Sequence, residues 1–254
     1  MRYAYAGDRQ ISVNILRFLI ERGHKPLALF VVEGDSNSHS ENLIDISGLD
    51  DASVFTGQKF KEQQNIEKLK RLELDYIFGI HFPYIIPEQV LELPKIGFLN
   101  LHPAFLPFNK GWNTPSWAIL EKTPYGATLH FMAKELDAGA IIHQKEIEIL
   151  PNETAHTLYE RTLKLEEEIF IEAFPKLEKL NPDRKAQTEK GTSHSKKDLQ
   201  KVQKINLDET VSFQEAIDKI RALTTNSIEE AAYFEVGKDK YAVQLVIKKI
   251  ARET

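Results

Sequence analysis

The chain has 254 residues, of which 42% are hydrophobic and 28% charged, with a formal net charge of -5 and no cysteine. Ordinary globular usage excludes a disordered, collagenous or low-complexity protein. The acidic balance argues against a surface built wholly for nucleic acid, and the lack of thiols excludes disulfide scaffolds, thiolate zinc sites, iron–sulfur clusters and cysteine nucleophiles. The opening MRYAYAGDRQ has neither an apolar h-region nor a small-residue cleavage pattern, and no window approaches the ~18–20 apolar residues of a membrane span. The expectation is a soluble cytoplasmic protein with no membrane partner.

The first stretch reads as β-α-β. Tyr3 to Ala6 is a short apolar run that ends at Gly7-Asp8, and Ile11, Ile15, Phe18 and Leu19 follow at helical spacing. Gly23 is a C-terminal stop, and Pro26 cannot continue that helix. Leu27 to Val32 is a continuous apolar run, the pattern of a strand buried on both faces of a parallel sheet. Tyr76 to Phe78 and Ile96 to Leu101 read as further strands. The alternation predicts an open, mostly parallel α/β sheet of Rossmann-like type.

Further along, Ala127 to Met132 and Ala140 to Ile149 are strand-like runs joined by a polar turn through Asp137 and Gly139. Asn152 to Leu180 has helical periodicity, with Pro175 expected to bend or end it. Asn181 to Lys197 is polar and aperiodic, a linker or surface loop, and Arg184 to Lys204 is locally basic. It reads as a solvated loop or as a phosphate-facing or partner surface. Val211 to Leu223 reads as a short helix. Ala231 to Val236 and Tyr241 to Ile247 flank Gly237–Lys240 as a β-hairpin. The expected organisation is a catalytic domain over 1–185 and a small α+β module over 186–254.

The stretch richest in chemistry is Phe98-Leu99-Asn100-Leu101-His102-Pro103. Asn100 and His102 lie two apart on a strand, so both side chains share a face. Pro103 biases His102 toward an extended conformation. Ligand crevices open where such strands end. An amide N–H and an imidazole there suit oxyanion stabilisation and proton transfer, although the same pair can simply satisfy loop backbone. Asp137, in Asp137-Ala138-Gly139, is either a turn residue or a carboxylate that orients His102. Spacing alone does not establish that contact. The loop from Ala104 to Trp117 carries both tryptophans, with Thr114 expected to cap a helix and Pro115 at its first position. No metal-ligand spacing is present. His130 and His143 lie in strand-like runs and read as packing or solvent-facing residues.

Asn100-Leu101-His102-Pro103, then Leu106-Pro107 with Gly111, the Gly126-Ala127-Thr128-Leu129-His130 strand, and Asp137-Ala138-Gly139 form a chain-ordered set. The set resembles the formyltransferases that use N10-formyltetrahydrofolate, over roughly residues 1 to 180. Many members have a serine after His-Pro, where this chain has Ala104. Within the family, Gly7-Asp8-Arg9-Gln10, the Gly111–Ala118 stretch and Tyr233-Phe234-Glu235 resemble the sugar N-formyltransferases.

The resemblance implies a formyltransferase fold and catalytic roles for Asn100, His102 and Asp137. It implies folate contacts at Tyr84, Ile85 and Ile86, in a loop that reads otherwise as hydrophobic packing, and at Phe105 and Leu106. It implies substrate contacts at Arg9, Lys110, Gly111 and Trp112. The implied co-substrate is N10-formyltetrahydrofolate, with no metal. The implied acceptor is a nucleotide-linked amino-dideoxy sugar, with dTDP as the carrier, used in O-antigen or other surface-polysaccharide synthesis. A 4-amino acceptor is favoured over a 3-amino one, and the assembly is expected to be a homodimer. A formyltetrahydrofolate hydrolase and a non-catalytic folate- or nucleotide-binding protein stand as rival readings. The hydrolase usually carries an N-terminal regulatory domain, which is not expected in this chain, and the acidic balance of the chain does not favour a tRNA substrate.

Overall fold

The computed structural model describes residues 1–34 and 37–250. The chain forms two compact units that interleave along its length. The first comprises residues 1–102, 128–144 and 166–188, and the second residues 103–127, 145–165 and 189–254.

The chain opens with β1 (Tyr3–Gly7), α1 (Arg9–Glu21) and β2 (Ala28–Val31). Gly23, at φ 85°, terminates α1 in the left-handed conformation that glycine adopts without strain. There follow α2 (Ser40–Ser47), β3 (Val54–Thr56), α3 (Gln63–Arg71), β4 (Tyr76–Ile80), α4 (Glu88–Leu91) and β5 (Gly97–His102). Next come β6 (Lys110–Gly111), α5 (Thr114–Glu121), β7 (Gly126–Phe131), β8 (Ile141–Glu146) and α6 (Ala155–Glu178). The chain ends with β9 (Ser193–His194), α7 (Gln200–Gln203), α8 (Phe213–Ala222), β10 (Ala232–Val236) and β11 (Asp239–Val243).

The main sheet has seven strands in the order β3-β2-β1-β4-β5-β7-β8. The β1–β2, β1–β4, β2–β3 and β4–β5 pairs are parallel, whereas β5 and β7 are antiparallel. Strands β1, β2 and β4 are buried throughout, as continuous apolar runs require.

In the first unit, one core gathers Phe30, Phe55, Phe60, Ile77 and Phe98, with Phe82 and Tyr84 packed against it. Phe30 stacks on Phe60 at 5.2 Å between ring centroids and meets Phe55 edge-on at 5.6 Å. A second aromatic run links β1, β4, α1 and α6 through the Tyr3–Phe78, Phe78–Phe170 and Phe18–Phe174 contacts. Pro175 does not end α6, which continues to Glu178, with Phe174 and Leu177 fully buried around it. Burial of these neighbours holds the last turn despite the missing N–H.

In the second unit, Ala118, Ile119, Tyr125, Ala155, Leu158 and Ala222 form one apolar cluster, and Trp117, Leu199, Leu223 and Ala232 another. A complete capping box between Ser212 and Glu215 starts α8. Thr114 does not cap α5. Its hydroxyl is taken by the Pro103 carbonyl, and Asn113 occupies the cap position at φ 54° with no side-chain cap bond. Residues 189–196, which read as linker, are instead laced to the loop before α5. β9 pairs with β6, and Asn109 N–H donates to Thr192 Oγ1 at 2.8 Å. The hairpin turn is tighter than the sequence suggested, with only Gly237 and Lys238 between β10 and β11.

Phe30 is the hub of the first core, so Phe30→Ala is expected to lower unfolding free energy by about 3–5 kcal/mol, with Phe30→Leu losing less. Urea titration followed by circular dichroism measures this. A loss below ~1 kcal/mol in the alanine variant would show that the ring cluster does not carry the core.

Candidate active site

Strand order 3-2-1-4-5 reverses direction between β1 and β4, and open α/β sheets bind ligands beyond the carboxyl ends of the strands at such a switch. The residues following these two strands hold uncommon backbone. Arg9 has φ 68° and His81 φ 53°, both in the left-handed region that side chains other than glycine usually avoid. Hydrogen bonds fix both ends. Ser12 Oγ donates to the Ile80 carbonyl at 2.5 Å and also bonds the Asp8 carbonyl. Asp8 is buried, and its carboxylate accepts from the backbone N–H groups of Ser38 and His39 at 3.1 and 3.0 Å. Burial holds the Tyr5 phenol above its ordinary range, so it remains a donor, here to the Ser12 carbonyl at 2.7 Å. His81 pairs with the buried Glu166 carboxylate at 2.9 Å.

Asn100 and His102 sit at the end of β5. Its antiparallel register with β7 sets Asn100 opposite His130 and His102 opposite Thr128. Directly opposed residues of an antiparallel pair share a face, so His130 joins Asn100 and His102 there. Asn100 Nδ2 lies 3.3 Å from His130 Nε2. His130 Nδ1 lies 2.8 Å from the Phe131 carbonyl, which can only accept. The proton of a neutral His130 therefore sits on Nδ1, and Nε2 accepts one N–H of the Asn100 amide.

Asp137 joins the same cluster. It has φ 49° and lies in the turn between β7 and β8. Its Oδ2 is 3.5 Å from His102 Nε2 and its Oδ1 3.7 Å from His130 Nε2. The three side chains are all nearly sealed from solvent, at 9% exposure for Asp137, 8% for His102 and 1% for His130. These are ion-pair separations rather than short hydrogen bonds. Gly139 explains part of the turn's sequence. A Cβ there would lie 1.8 Å from the Phe131 carbonyl, the acceptor that fixes the His130 ring.

The structure thus brings Asn100, His102 and Asp137 together, and adds His130. The sequence carried one signal for His130, its period-two spacing from Thr128 in a strand run, but the register that aims it at Asn100 is a tertiary fact. His143, by contrast, pairs with Glu172 at 2.8 Å.

Other expected residues are more dispersed. In the first unit, Tyr84 packs on Phe82 at 5.2 Å and Ile86 is buried, whereas Ile85 is 84% exposed. Arg9 is exposed at the start of α1. In the second unit, Leu106 is buried and Phe105 half-buried. Lys110 and Gly111 form β6, and Trp112 is half-exposed beneath the Lys196 ammonium at 5.4 Å. Beside them Trp117 stacks on His194 at 3.8 Å. Among the described residues, no group of His, Cys, Asp or Glu is placed to hold a metal ion, and no helix is long and apolar enough to cross a membrane.

The family described as "Formyl transferase" matches residues 25–174. The chain belongs to the formyl transferase family. A second match, "N-formyltransferase dimerization C-terminal domain", covers residues 198–249. This formyltransferase is 29% identical to a methionyl-tRNA formyltransferase of Bacillus mycoides, over 88% of this chain and 72% of that one. It is 26% identical to a dTDP-4-amino-4,6-dideoxyglucose formyltransferase of Mycobacterium bovis, over 68% and 74% of the two chains. Among solved structures it resembles a 4-N formyltransferase from Francisella tularensis, with TM-score 0.83, 25% identity and 98% coverage of both chains. It also shares its fold with an N-formyltransferase from Helicobacter canadensis in complex with folinic acid and dTDP-3-aminofucose. There the TM-score is 0.65 at 22% identity, covering 92% of this chain and 86% of that one.

Because the Gly139 backbone touches the carbonyl that orients His130, Gly139→Ala is expected to reduce turnover at least ~10-fold, the scale of sub-ångström misplacement in a catalytic site. Circular dichroism should show the fold retained. A variant with wild-type turnover and thermal stability would show that the turn yields without consequence.

Proposed function

We propose that this formyltransferase moves the formyl group of N10-formyltetrahydrofolate onto the amino group of a nucleotide-linked amino-dideoxy sugar. The favoured acceptor is dTDP-4-amino-4,6-dideoxyglucose, and the favoured setting is surface-polysaccharide synthesis. The cluster of Asn100, His102, His130 and Asp137 carries the reading, because it supplies what acyl transfer to an amine needs without a metal.

The neutral amine attacks the formyl carbon. A C–N bond forms and the carbonyl electron pair moves onto oxygen. The second N–H of the Asn100 amide, whose first is committed to His130 Nε2, donates to that oxygen, together with a protonated His102. Asp137 orients His102 and balances its charge. The intermediate collapses by breaking the bond from the formyl carbon to N10. The amine loses one proton and N10 gains one, a transfer that His102 and Asp137 can relay.

Tyr84, Ile85, Ile86, Phe105 and Leu106 are the proposed folate contacts, and Arg9, Lys110, Gly111 and Trp112 the proposed contacts to the nucleotide sugar. In this reading residues 1–185 are the catalytic domain and 186–254 a module that pairs two copies. Its hairpin carries outward apolar residues such as Val236 and Tyr241, 54% and 46% exposed. The sugar acceptor is supported over a tRNA by the match of residues 198–249 and by the net charge of -5. A polyanionic acceptor is drawn to basic surfaces.

The test is a mass-spectrometric end-point assay. The protein is mixed with N10-formyltetrahydrofolate and dTDP- and UDP-linked 3-amino and 4-amino sugars, with methionyl-tRNA and a no-acceptor control alongside. A formyl adduct on a 4-amino dTDP-sugar is the expected outcome. An adduct only on a 3-amino sugar or on the tRNA would change the acceptor. Formate release without any adduct would make the protein a hydrolase. His102→Ala is expected to lose about 100-fold or more in turnover, on the scale of removing an oxyanion donor. Asp137→Asn should lower kcat with a smaller change in KM. Near-normal turnover in either variant removes that residue from the mechanism.

A further inference from the structure

The Asp137 turn is held from outside by a residue in a segment that reads as linker. Gln187 Nε2 lies 2.8 Å from the Asp137 carbonyl and 2.8 Å from the Gly139 carbonyl. Both partners can only accept, so the nitrogen end of the amide must face them, and each of its two N–H groups serves one carbonyl. The Gln187 Oε1 is buried with no hydrogen-bond partner among the described residues. An unpaired buried acceptor is unfavourable. The residue is therefore oriented by its donor end, not by balanced packing of a polar group.

The segment carrying Gln187 is itself fixed. Lys185 and Ile141 exchange backbone hydrogen bonds of 2.8 and 2.9 Å in an antiparallel bridge at the start of β8. The Arg184 guanidinium lies 3.7 Å over the Phe131 ring and donates to the Ile96 carbonyl at 2.6 Å. Two anchor points thus precede Gln187 and aim it at the turn.

The geometry points to Gln187 as a positioning residue for catalysis, a two-pronged donor that fixes the left-handed backbone of Asp137 and so sets its carboxylate against His102 and His130. The inference rests on the catalytic role proposed for Asp137. The two carbonyls bracket the turn from Asp137 to Gly139, so their bonds limit rotation about the Asp137 backbone. That backbone sits at φ 49°, a conformation that aspartate tolerates but does not prefer. The carboxylate is already 3.5 and 3.7 Å from its two imidazoles, so even a small swing of the turn removes it from reach. The planar –NH2 group of a glutamine offers two divergent donors at this distance. Methionine has a similar length and no donor. Glutamate would set an acceptor against two acceptors.

The experiment compares Gln187→Met and Gln187→Glu in wild-type and Asp137→Ala backgrounds. Steady-state kinetics use N10-formyltetrahydrofolate and the amino sugar formylated by the wild type. Hydrogen exchange is followed over residues 132–141. The expected result is faster exchange in that segment and a kcat lower by about 10-fold, with KM for each substrate changed less than about threefold. In the Asp137→Ala background the same substitutions should remove less than about twofold more, because residues acting through one another are not additive. Unchanged exchange, or faster exchange with wild-type kcat, overturns the inference. So does an undiminished loss in the Asp137→Ala background, which would make Gln187 a general structural residue. If Asp137→Ala itself retains full kcat, or if the wild type formylates nothing in the panel, the reading beneath the inference fails instead.

Discussion

The site depends on one pairing, the antiparallel register of β5 with β7 in a sheet whose first five strands, β3-β2-β1-β4-β5, are parallel. That register sets Asn100 against His130 and His102 against Thr128. A slip of one residue would turn His130 to the opposite face and leave the Asn100 amide without its acceptor. The return of the chain is fixed as firmly. Phe131 N–H bonds the Ala140 carbonyl at 2.9 Å, and Gly139 lies against the Phe131 carbonyl. One backbone carbonyl therefore sets both the tautomer of His130 and the approach of the turn that holds Asp137. Fold and chemistry share the same few atoms.

Strain at the strand ends follows from the same economy. Arg9, His81 and Asp137 hold left-handed backbone at roughly 1 kcal/mol or more each. Such conformations persist only where their surroundings over-determine them. Beside each lies a specific set of bonds: the Ser12 hydroxyl on the Asp8 and Ile80 carbonyls, the Glu166 carboxylate on His81, and the Gln187 amide on the Asp137 turn. The strained residues do not follow the apolar pattern of the strands. They follow the places where a strand hands over to a loop that must point a side chain somewhere in particular.

This division also explains what could be read in the sequence. Buried strands announce themselves as apolar runs, so Tyr3–Ala6, Leu27–Val32 and Ile96–Leu101 were legible, as was the shared face of Asn100 and His102. The contact of Asp137 with His102 was not, because it depends on how a nine-residue excursion from Met132 to Ala140 folds back. The helix cap at Thr114 failed for a similar reason: its hydroxyl has a competing acceptor at Pro103 that is eleven residues away in sequence. The polar stretch after Asn181 looked like linker because nothing in its composition records a bridge to Ile141 or a stack on Phe131. Side chains that serve other residues, such as Gln187 and His130, leave no periodic trace.

The two imidazoles flanking Asp137 are chemically unequal, and the inequality assigns their work. His130 has both ring nitrogens engaged, Nδ1 with the Phe131 carbonyl and Nε2 with the Asn100 amide. A proton added at Nε2 would face an N–H donor and break the contact that aims Asn100. In the proposed mechanism His130 therefore supports the Asn100 donor only while neutral. His102 presents Nε2 to the Asp137 carboxylate at 3.5 Å. In the proposed reaction proton handling falls to His102 and donor alignment to His130, and Asp137 reaches both from a single side chain. The backbone carbonyl on one side and the Asn100 amide on the other engage both ring nitrogens of His130.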